Sequence, residues 1–394
     1  MREVINKIIT VIIPEAESRQ PGKTVNNEPF SSKTGVPKKG GRMKLKKIAW
    51  LFTAVLVTFF VASLTVGHLT AEAAQKVYKM RIQSAWPRAD ISMQLLEKFA
   101  AAADKRSNGQ IKIQVFAAPE IVPGEQTLEA TKKGTLDMLH SIGAYWGGTT
   151  PIGEIEFGLP LMWAMPLGKT VKENSEIVRD FFLSSGFAEL LRKEYAKQGV
   201  YWLDMHSYGE LFTLAREPIT SCEDMQGKKF RAEGAWTDFY NNMGARGTFV
   251  DGGEAYMALS KGVIDTTQWD VSAVTGMNIH EVAPYRIMGG GNDVVPGHIL
   301  INLKKWESLP DNLKAALKGA AKDYFDALND IYMEEMKKVD ELVKQGKVKL
   351  SYFDDACIKK HEEVAVKLWD EIAKRDPSAV KAVELVKEWR KTLK

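Results

Sequence analysis

The chain has 394 residues, with 54 Lys and Arg against 50 Asp and Glu. The first 74 residues hold 11 basic and 5 acidic side chains, which leaves the rest with 43 basic and 45 acidic groups, a net charge of −2. That balance excludes the basic surface expected of a nucleic-acid-binding protein. The remaining length is enough for two domains with hydrophobic cores. Cys222 and Cys357 have no metal-binding spacing; they could pair in an exported protein, but we predict two unpaired thiols.

Residues 43–74 have the pattern of a secretory signal peptide. Met43 begins a positively charged stretch, residues 48–66 are mostly apolar, and Ala71 and Ala73 offer a cleavage site. The apolar stretch is longer than the roughly 7–15 residues typical of a signal peptide, so an uncleaved anchor is the alternative. Residues 1–42 would precede the signal. We therefore predict that translation begins at Met43, with a cytoplasmic arm at 1–42 as the alternative, and that the mature protein is periplasmic.

Strands and helices alternate from residue 77 onward. Period-2 patterns predict strands at 77–84, 111–116 and 135–141, and helical patterns lie between them at 91–106 and 128–133. This β-α-β-α-β order predicts a mostly parallel sheet with helices on both faces. A helical segment at 177–198, broken at Gly186, follows.

The second part of the chain repeats this design. We expect strands at 201–206, 210–215, 229–232, 247–250 and 263–269, and helices at 236–243 and 255–260. The segments Lys133–Asp137 and Lys261–Asp265 share the form K-G-x-apolar-D, each between a helix and a strand. This repeated segment predicts two α/β lobes of similar design, and a cleft between two such lobes is a natural small-molecule site.

The C-terminal third is mainly helical. A strand at 298–303 precedes a long helix at 313–344, a short strand at 348–353 and helices at 361–374 and 379–393. We assign residues 75–200 and 287–327 to lobe I, residues 201–286 and 328–360 to lobe II, and the long helix to both. Residues 361–394 carry more apolar side chains than a solitary arm needs, which suggests either cover for a lobe or a subunit contact.

Arg231 is the leading candidate for binding a ligand. It lies at the end of a predicted strand just before a helix, where open α/β sheets place ligands. Its planar guanidinium can hold a carboxylate by two parallel hydrogen bonds, although a structural ion pair is the alternative. Other residues at predicted strand ends suit the walls of a site for a small organic anion, although each aromatic could instead pack in the core. They are Trp86, Tyr145, Trp146, Tyr208, Glu210 and Trp269.

The common catalytic motifs are missing from the sequence. There is no G-x-S-x-G, no phosphate-binding glycine loop and no zinc-binding cluster. A binding protein is therefore favoured over an enzyme. The alternative is a secreted enzyme that uses His140 or His206 with Glu210.

Five segments together resemble the periplasmic solute-binding subunits of tripartite ATP-independent periplasmic (TRAP) transporters. They are RIQSAWPR at 81–88, QVFAAPEIVPGEQTLEATKKGTLDMLHS at 114–141, SCEDMQGKKFRAEG at 221–234, GGEAYMALSKGVIDTTQWD at 252–270 and VVPGHILINLKKWESLP at 294–310. The HS-x-x-x-Y-W-x-G loop at 140–148 is most similar to the subgroup that binds 2-oxo or 2-hydroxy monocarboxylates.

The resemblance implies a two-lobed periplasmic binding protein fold that closes on a small organic acid and delivers it to TRAP membrane subunits, without enzymatic activity. A ligand-sensing subunit of a signalling receptor is a further alternative. The resemblance places Arg231 on the ligand carboxylate and also implies a homodimer through 361–394. The implied ligand-binding residues are Arg231, Trp269, Tyr145, Glu210, Gln268 and Trp86.

The subgroup holds a sodium or calcium ion beside the ligand, and no organic cofactor is implied. Its cation-binding positions fall on Glu210, Gln268 and Trp269 here. A further position falls on Val295, whose side chain cannot bind a cation. This cation ligand is therefore lost unless Asn292 or Asp293 takes its place. The sequence therefore leaves open whether the ligand is bound with a cation or without one.

Overall fold

A computed structural model describes residues 75–164, 170–289 and 294–393. The predicted leader at 1–42, the signal peptide at 43–74 and the substitute cation ligands Asn292 and Asp293 lie outside these ranges. Of the helices that the structure describes, none is long and apolar enough to cross a membrane.

Eleven strands are present in the described ranges. They are β1 Tyr78–Ser84, β2 Ile111–Phe116, β3 Met138–Ser141, β4 Val200–Glu210, β5 Phe212–Ala215, β6 Lys229–Arg231, β7 Arg246–Thr248, β8 Thr266–Trp269, β9 Tyr285–Met288, β10 Val294–Asn302 and β11 Lys349–Tyr352.

Twelve α-helices accompany them in the same ranges. They are α1 Ile91–Arg106, α2 Thr127–Lys133, α3 Ile152–Phe157, α4 Val171–Ser184, α5 Phe187–Lys197, α6 Ala235–Asn242, α7 Ala255–Ser260, α8 Ser272–Thr275, α9 Leu303–Glu307, α10 Asp311–Lys344, α11 Asp355–Ala373 and α12 Pro377–Thr392. The predicted break at Gly186 is confirmed, since it separates α4 from α5.

The strands form two sheets, one for each predicted lobe. The first has the order β2-β1-β3-β10-β4 and the second β11-β9-β5-β8-β6-β7. Both are mixed rather than mostly parallel, because β10 runs antiparallel to β3 and β4, and β5 runs antiparallel to β8 and β9. The two-lobed α/β architecture follows the predicted one, but the strand directions differ.

The predicted lobe boundaries need correction at two strands. We placed 201–286 in lobe II, but β4 pairs with β10 along residues 200–210 and belongs to the first sheet. Residues 207–209, which separate two of the predicted strands, are instead part of this long strand, which contains a register irregularity. Similarly, β9 pairs with β5 and β11, so residues 287 and 288 belong to the second sheet.

The sequence echo has a structural counterpart in two aspartates. Asp137, the residue before β3, accepts a hydrogen bond of 2.8 Å from the backbone N–H of Arg81 on β1. Asp265, the residue before β8, accepts one of 2.8 Å from the backbone N–H of Lys229 on β6. Each carboxylate therefore ties a helix–strand turn to the neighbouring parallel strand, and the two lobes share this device.

The long helix α10 contacts both lobes. The hydroxyl of Tyr324 donates a 2.8 Å hydrogen bond to the carbonyl oxygen of Ser92 on α1, and Tyr332 donates one of 3.0 Å to Asp270 after β8. The helix that we predicted to span the lobes therefore joins residues beside the ends of both sheets.

The C-terminal helices α11 and α12 pack against their own chain. Their apolar side chains at 368, 369, 372, 383 and 386 are buried, and Trp369 donates a 2.8 Å hydrogen bond to the carbonyl oxygen of Pro160. Arg375 lies 3.4 Å from both Glu154 on α3 and Asp238 on α6. The apolar content that suggested a subunit contact is thus largely accounted for by contacts within one chain.

The two cysteines form a disulfide, so the prediction of unpaired thiols is wrong. Cys222, in the segment before β6, is bonded to Cys357 in the first turn of α11. The two positions are 135 residues apart, and sequence spacing alone could not show that α11 returns to the second lobe.

Candidate functional site

A cavity lies between the two lobes, where strands of both sheets end. Its free volume is about 40 Å³, room for a few water-sized groups. The first lobe contributes Trp86, Asp90, Ile142, Phe157, Tyr208 and Val295, and the second contributes Leu211, Arg231, Glu233, Gln268, Trp269 and Asp270. The predicted cleft is therefore present, and four of the six predicted ligand-binding residues line it.

Arg231 ends β6 with its guanidinium at the cavity. Its side chain is only 1% exposed. Nε donates a 2.8 Å hydrogen bond to the carbonyl oxygen of Val250, and Nη1 donates one of 3.2 Å to that of Gln268. Nη2 lies 2.5 Å from a carboxylate oxygen of Glu233, two residues further along the chain, but this contact is an ion pair without hydrogen-bond geometry. Arg231 therefore forms the structural ion pair that we predicted as the alternative, and the same residue lines the cavity.

Three aromatic side chains form a connected wall. Trp269 at the end of β8 packs edge-on against Trp86 after β1, with 5.4 Å between ring centroids. Trp86 also donates a 2.7 Å hydrogen bond from Nε1 to the hydroxyl of Tyr208. The guanidinium of Arg231 lies 4.9 Å from the centre of the Trp269 ring, close enough for a cation–π interaction.

Tyr145 packs against Trp86 of this wall. Its ring is 5.6 Å from that of Trp86, and it is not one of the side chains that line the cavity. Burial raises the pKa of the Tyr145 phenol, and the negative charge of Glu233 adds to the shift, so the phenol remains protonated and can donate a hydrogen bond.

Two buried aspartates line the cavity and were missed by the sequence analysis. Asp90 caps α1 and accepts hydrogen bonds from the backbone N–H groups of Ser92 and Met93. Asp270 accepts from Ser272 and Tyr332. Burial raises the pKa of both carboxyl groups, and the proximity of Asp90 helps to raise that of Asp270 to about 8. Asp270 directly follows Trp269, so the rule that selected strand ends could have found it.

Glu210, a predicted ligand and cation-binding residue, points elsewhere. Its carboxylate forms a 2.7 Å ion pair with Arg286 on β9, and it is not among the side chains that line the cavity. Gln268 does line the cavity, and its buried Nε2 has no hydrogen-bond partner in the described part of the chain. The predicted cation set is therefore only partly assembled, with Gln268 and Trp269 at the cavity and Glu210 outside it.

The histidines of the enzyme alternative lie in the core of the first lobe. The rings of His140 and His206 stack at 4.3 Å, and the two nitrogens of His140 contact Ser84 and Tyr324. Burial, with His298 nearby, lowers the pKa of His140 to about 3. Neither histidine lines the cavity, and Glu210 is paired with Arg286, so these residues do not form a joint catalytic site.

Two α/β lobes with a small cavity between them, lined by a buried arginine, have the architecture expected of a solute-binding protein. Residues 82–376 match the family model described as bacterial extracellular solute-binding protein, family 7, or DctP. The chain belongs to this family.

Individual relatives agree with this assignment. A monocarboxylate 2-oxoacid-binding periplasmic protein of Nostoc sp. is 24% identical over 351 residues, which cover 86% of this chain and 92% of the relative. A TRAP periplasmic solute-binding protein of Pseudoalteromonas atlantica, solved with sodium and pyruvate, superimposes with a TM-score of 0.73 at 22% identity, covering 81% of this chain and 95% of that one. One from Colwellia psychrerythraea, solved with calcium and pyruvate, has the same TM-score, identity and coverage. The predicted family, fold and non-enzymatic class are confirmed.

Proposed function

We propose that this protein captures a small organic acid outside the cytoplasm and delivers it to TRAP membrane subunits. A 2-oxo or 2-hydroxy monocarboxylate is the favoured ligand. The observation that carries the proposal is the buried guanidinium of Arg231 at a cavity of about 40 Å³, a size that favours an acid of few atoms. The binding specificity of the Nostoc relative supports the same ligand class.

Capture proceeds by closure of the lobes around the acid. The ligand carboxylate binds the guanidinium of Arg231 on the second lobe, and Trp86 from the first lobe and Trp269 from the second wall the cleft. Closure removes water, which strengthens the ion pair, and the closed form is the state that the membrane subunits recognise. Tyr145 packs against Trp86, and Gln268 donates its unpartnered N–H to a ligand oxygen.

A hard cation fits the oxygen donors at the cavity. Sodium and calcium bind carboxylate and carbonyl oxygens, and Asp90, Asp270, Glu233 and Gln268 all bring such groups to the lining. Glu210 is left out of this set, because Arg286 holds its carboxylate. A bound cation would balance the negative charge of the ligand and of these side chains.

Export through residues 43–74 and a periplasmic location complete the proposal, in keeping with an extracellular solute-binding family. A homodimer through 361–394 has less support, because the apolar side chains of α11 and α12 are largely buried within the chain. Size-exclusion chromatography with light scattering decides between monomer and dimer.

Calorimetric titration with pyruvate and lactate, with and without calcium, tests the function. Arg231→Lys keeps the positive charge but loses the planar guanidinium that can make two parallel hydrogen bonds, and Arg231→Ala removes both. We expect the alanine variant to lose about 2–5 kcal/mol of binding free energy. Arg246→Ala, at an exposed position on β7, is the matched control and should bind as the wild type does. Equal binding by the wild type and both Arg231 variants would overturn the proposal.

A further inference from the structure

Arg231 already has a carboxylate partner in its own chain. Three of its nitrogens contact protein oxygens, those of Val250, Gln268 and Glu233, and the last contact is an ion pair of 2.5 Å. Glu233 is 9% exposed, so the pair is largely shielded from water. The positive charge that should attract an acid is therefore balanced before any ligand arrives.

The other ionisable groups at the cavity are acidic. Asp90, Glu233 and Asp270 line it, and Arg231 is the basic side chain among the lining residues in the described part of the chain. A further carboxylate brought into this low-dielectric space would share one guanidinium with Glu233, and a single positive charge cannot offset two negative ones. A bound acid therefore needs a positive charge beside its carboxylate.

Glu233 is the acidic group best placed to face such a charge. The oxygens of Asp90 accept hydrogen bonds from Ser92, Met93, Trp269 and Ser272, and those of Asp270 accept from Ser272 and Tyr332. The carboxylate of Glu233 contacts Arg231 alone among the described residues. Because a carboxylate has about four lone-pair sites, Glu233 retains acceptor capacity.

Gln268 is an independent indication of a ligand at this place. The residue is 4% exposed and lines the cavity, and its Nε2 has no partner among the described residues. A buried amide N–H without a partner is costly, and a ligand oxygen would satisfy it.

We propose that Glu233 is a specificity-determining residue that receives a positive centre adjacent to the ligand carboxylate. This inference rests on the proposed function. The positive centre can come from two sources: the ammonium group of a 2-amino acid, or a metal cation bound together with a 2-oxo or 2-hydroxy acid. In both cases Arg231 holds the carboxylate on its remaining N–H groups while Glu233 faces the positive charge.

Pyruvate, lactate and alanine form a matched series for the test, since they share a three-carbon skeleton and differ at the second carbon. Each is titrated calorimetrically into the wild type and Glu233→Gln in sodium-free buffer with EDTA, and again with sodium or calcium added. Alanine binding without a metal identifies the ammonium as the source. Binding of pyruvate or lactate that requires the metal identifies the cation. With either source, Glu233→Gln should weaken binding by at least about tenfold.

Two further variants make the result specific. Glu125→Gln makes the same charge change at an exposed position and should leave the affinities unchanged. If Glu233→Gln fails to fold, Glu233→Asp is the second variant. It keeps the negative charge but withdraws it by one methylene, and its affinity for the ligand should fall by less than the tenfold expected for Glu233→Gln.

The opposite pattern overturns the inference. If the wild type binds pyruvate in sodium-free buffer with EDTA, and Glu233→Gln binds it equally or more tightly, Glu233 is a competitor for Arg231 and not a receptor for positive charge. That outcome leaves the proposed function intact. The proposed function itself fails if none of the three acids binds under either condition, or if binding is insensitive to Arg231→Lys, and the inference then fails with it.

Discussion

Trp269 Nε1 donates a hydrogen bond of 3.1 Å to Asp90 Oδ2, although 179 residues separate the two positions. Trp269 ends β8 in the second sheet, and Asp90 caps α1 after the first sheet. The bond therefore joins the lobes at the wall of the cavity. A side chain that we predicted as a ligand contact therefore also connects the two lobes.

Trp269→Phe should weaken both stability and binding. Phenylalanine keeps an aromatic wall but removes the N–H, which leaves the buried Asp90 carboxylate with fewer donors at a cost of about 1–3 kcal/mol. Urea unfolding measures the stability and calorimetry measures the affinity. Trp306→Phe, at a ring that stacks on Tyr201 away from the cavity, is the control for loss of an indole in general. Unchanged affinity in Trp269→Phe would show that the bond does not contribute to closure.

Gly252→Ala should displace the same indole without altering its chemistry. A Cβ atom at position 252 would lie 2.3 Å from Cη2 of Trp269, a distance that forces the ring or the loop to move. Because the ring forms the cavity wall and lies over Arg231, we expect the ligand affinity to fall by at least about tenfold.

Gly148→Ala is the matched control for that substitution, since its Cβ would meet no atom within 4 Å. Near-ultraviolet circular dichroism reports the movement of the indole, and calorimetry reports the affinity. Equal binding by the two variants would contradict the assigned place of Trp269 in the site.

Local patterns were sufficient for much of the fold. The limits of α1, β2 and α7 agree with those predicted, because apolar periodicity and end signals such as the Asp90 cap act within a few residues. The strand β9 was missed, since its four residues lie between Pro284 and Gly289 and give no readable period. The direction of β10 depends on where a distant chain segment returns, which no local pattern encodes.

The sequence likewise predicted some residues of the site and missed others. Arg231, Trp86, Gln268 and Trp269 reach the cavity because strand ends of both sheets meet there. The same rule failed for Glu210, because Arg286 on β9 holds its carboxylate and β9 was not foreseen. Asp90 was missed, because its place in the site depends on Trp269 of the other lobe.

Stability should depend on pH through Asp270. Burial and the nearby Asp90 raise the pKa of Asp270 from 3.8 to about 8 in the folded protein, so the folded state binds more protons than the unfolded state between these values. The free energy of unfolding contributed by this group is therefore largest below about pH 4 and decreases as the pH rises towards 8, with a slope of at most about 1.4 kcal/mol per pH unit.

Asp270→Asn removes this titration and should flatten the decrease in urea unfolding measured without metals from pH 5 to pH 8. Asp340→Asn, at an exposed position on α10, should retain the wild-type slope. An unchanged slope in Asp270→Asn would show that its carboxyl group titrates near its ordinary pKa in the folded state.

The disulfide between Cys222 and Cys357 should stabilise the second lobe together with α11. It closes a loop of 135 residues, and cross-links of long loops restrict the unfolded chain strongly, so its removal should cost about 2–5 kcal/mol. Cys222→Ala/Cys357→Ala, compared with the oxidised wild type in urea, measures this difference, and the wild type under a dithiol reductant should approach the double variant. Adding the reductant to the double variant should change nothing, which controls for other effects of the reductant. Thiol titration of the denatured, unreduced wild type should find no reactive thiol, and two thiols would instead restore the expectation drawn from the sequence.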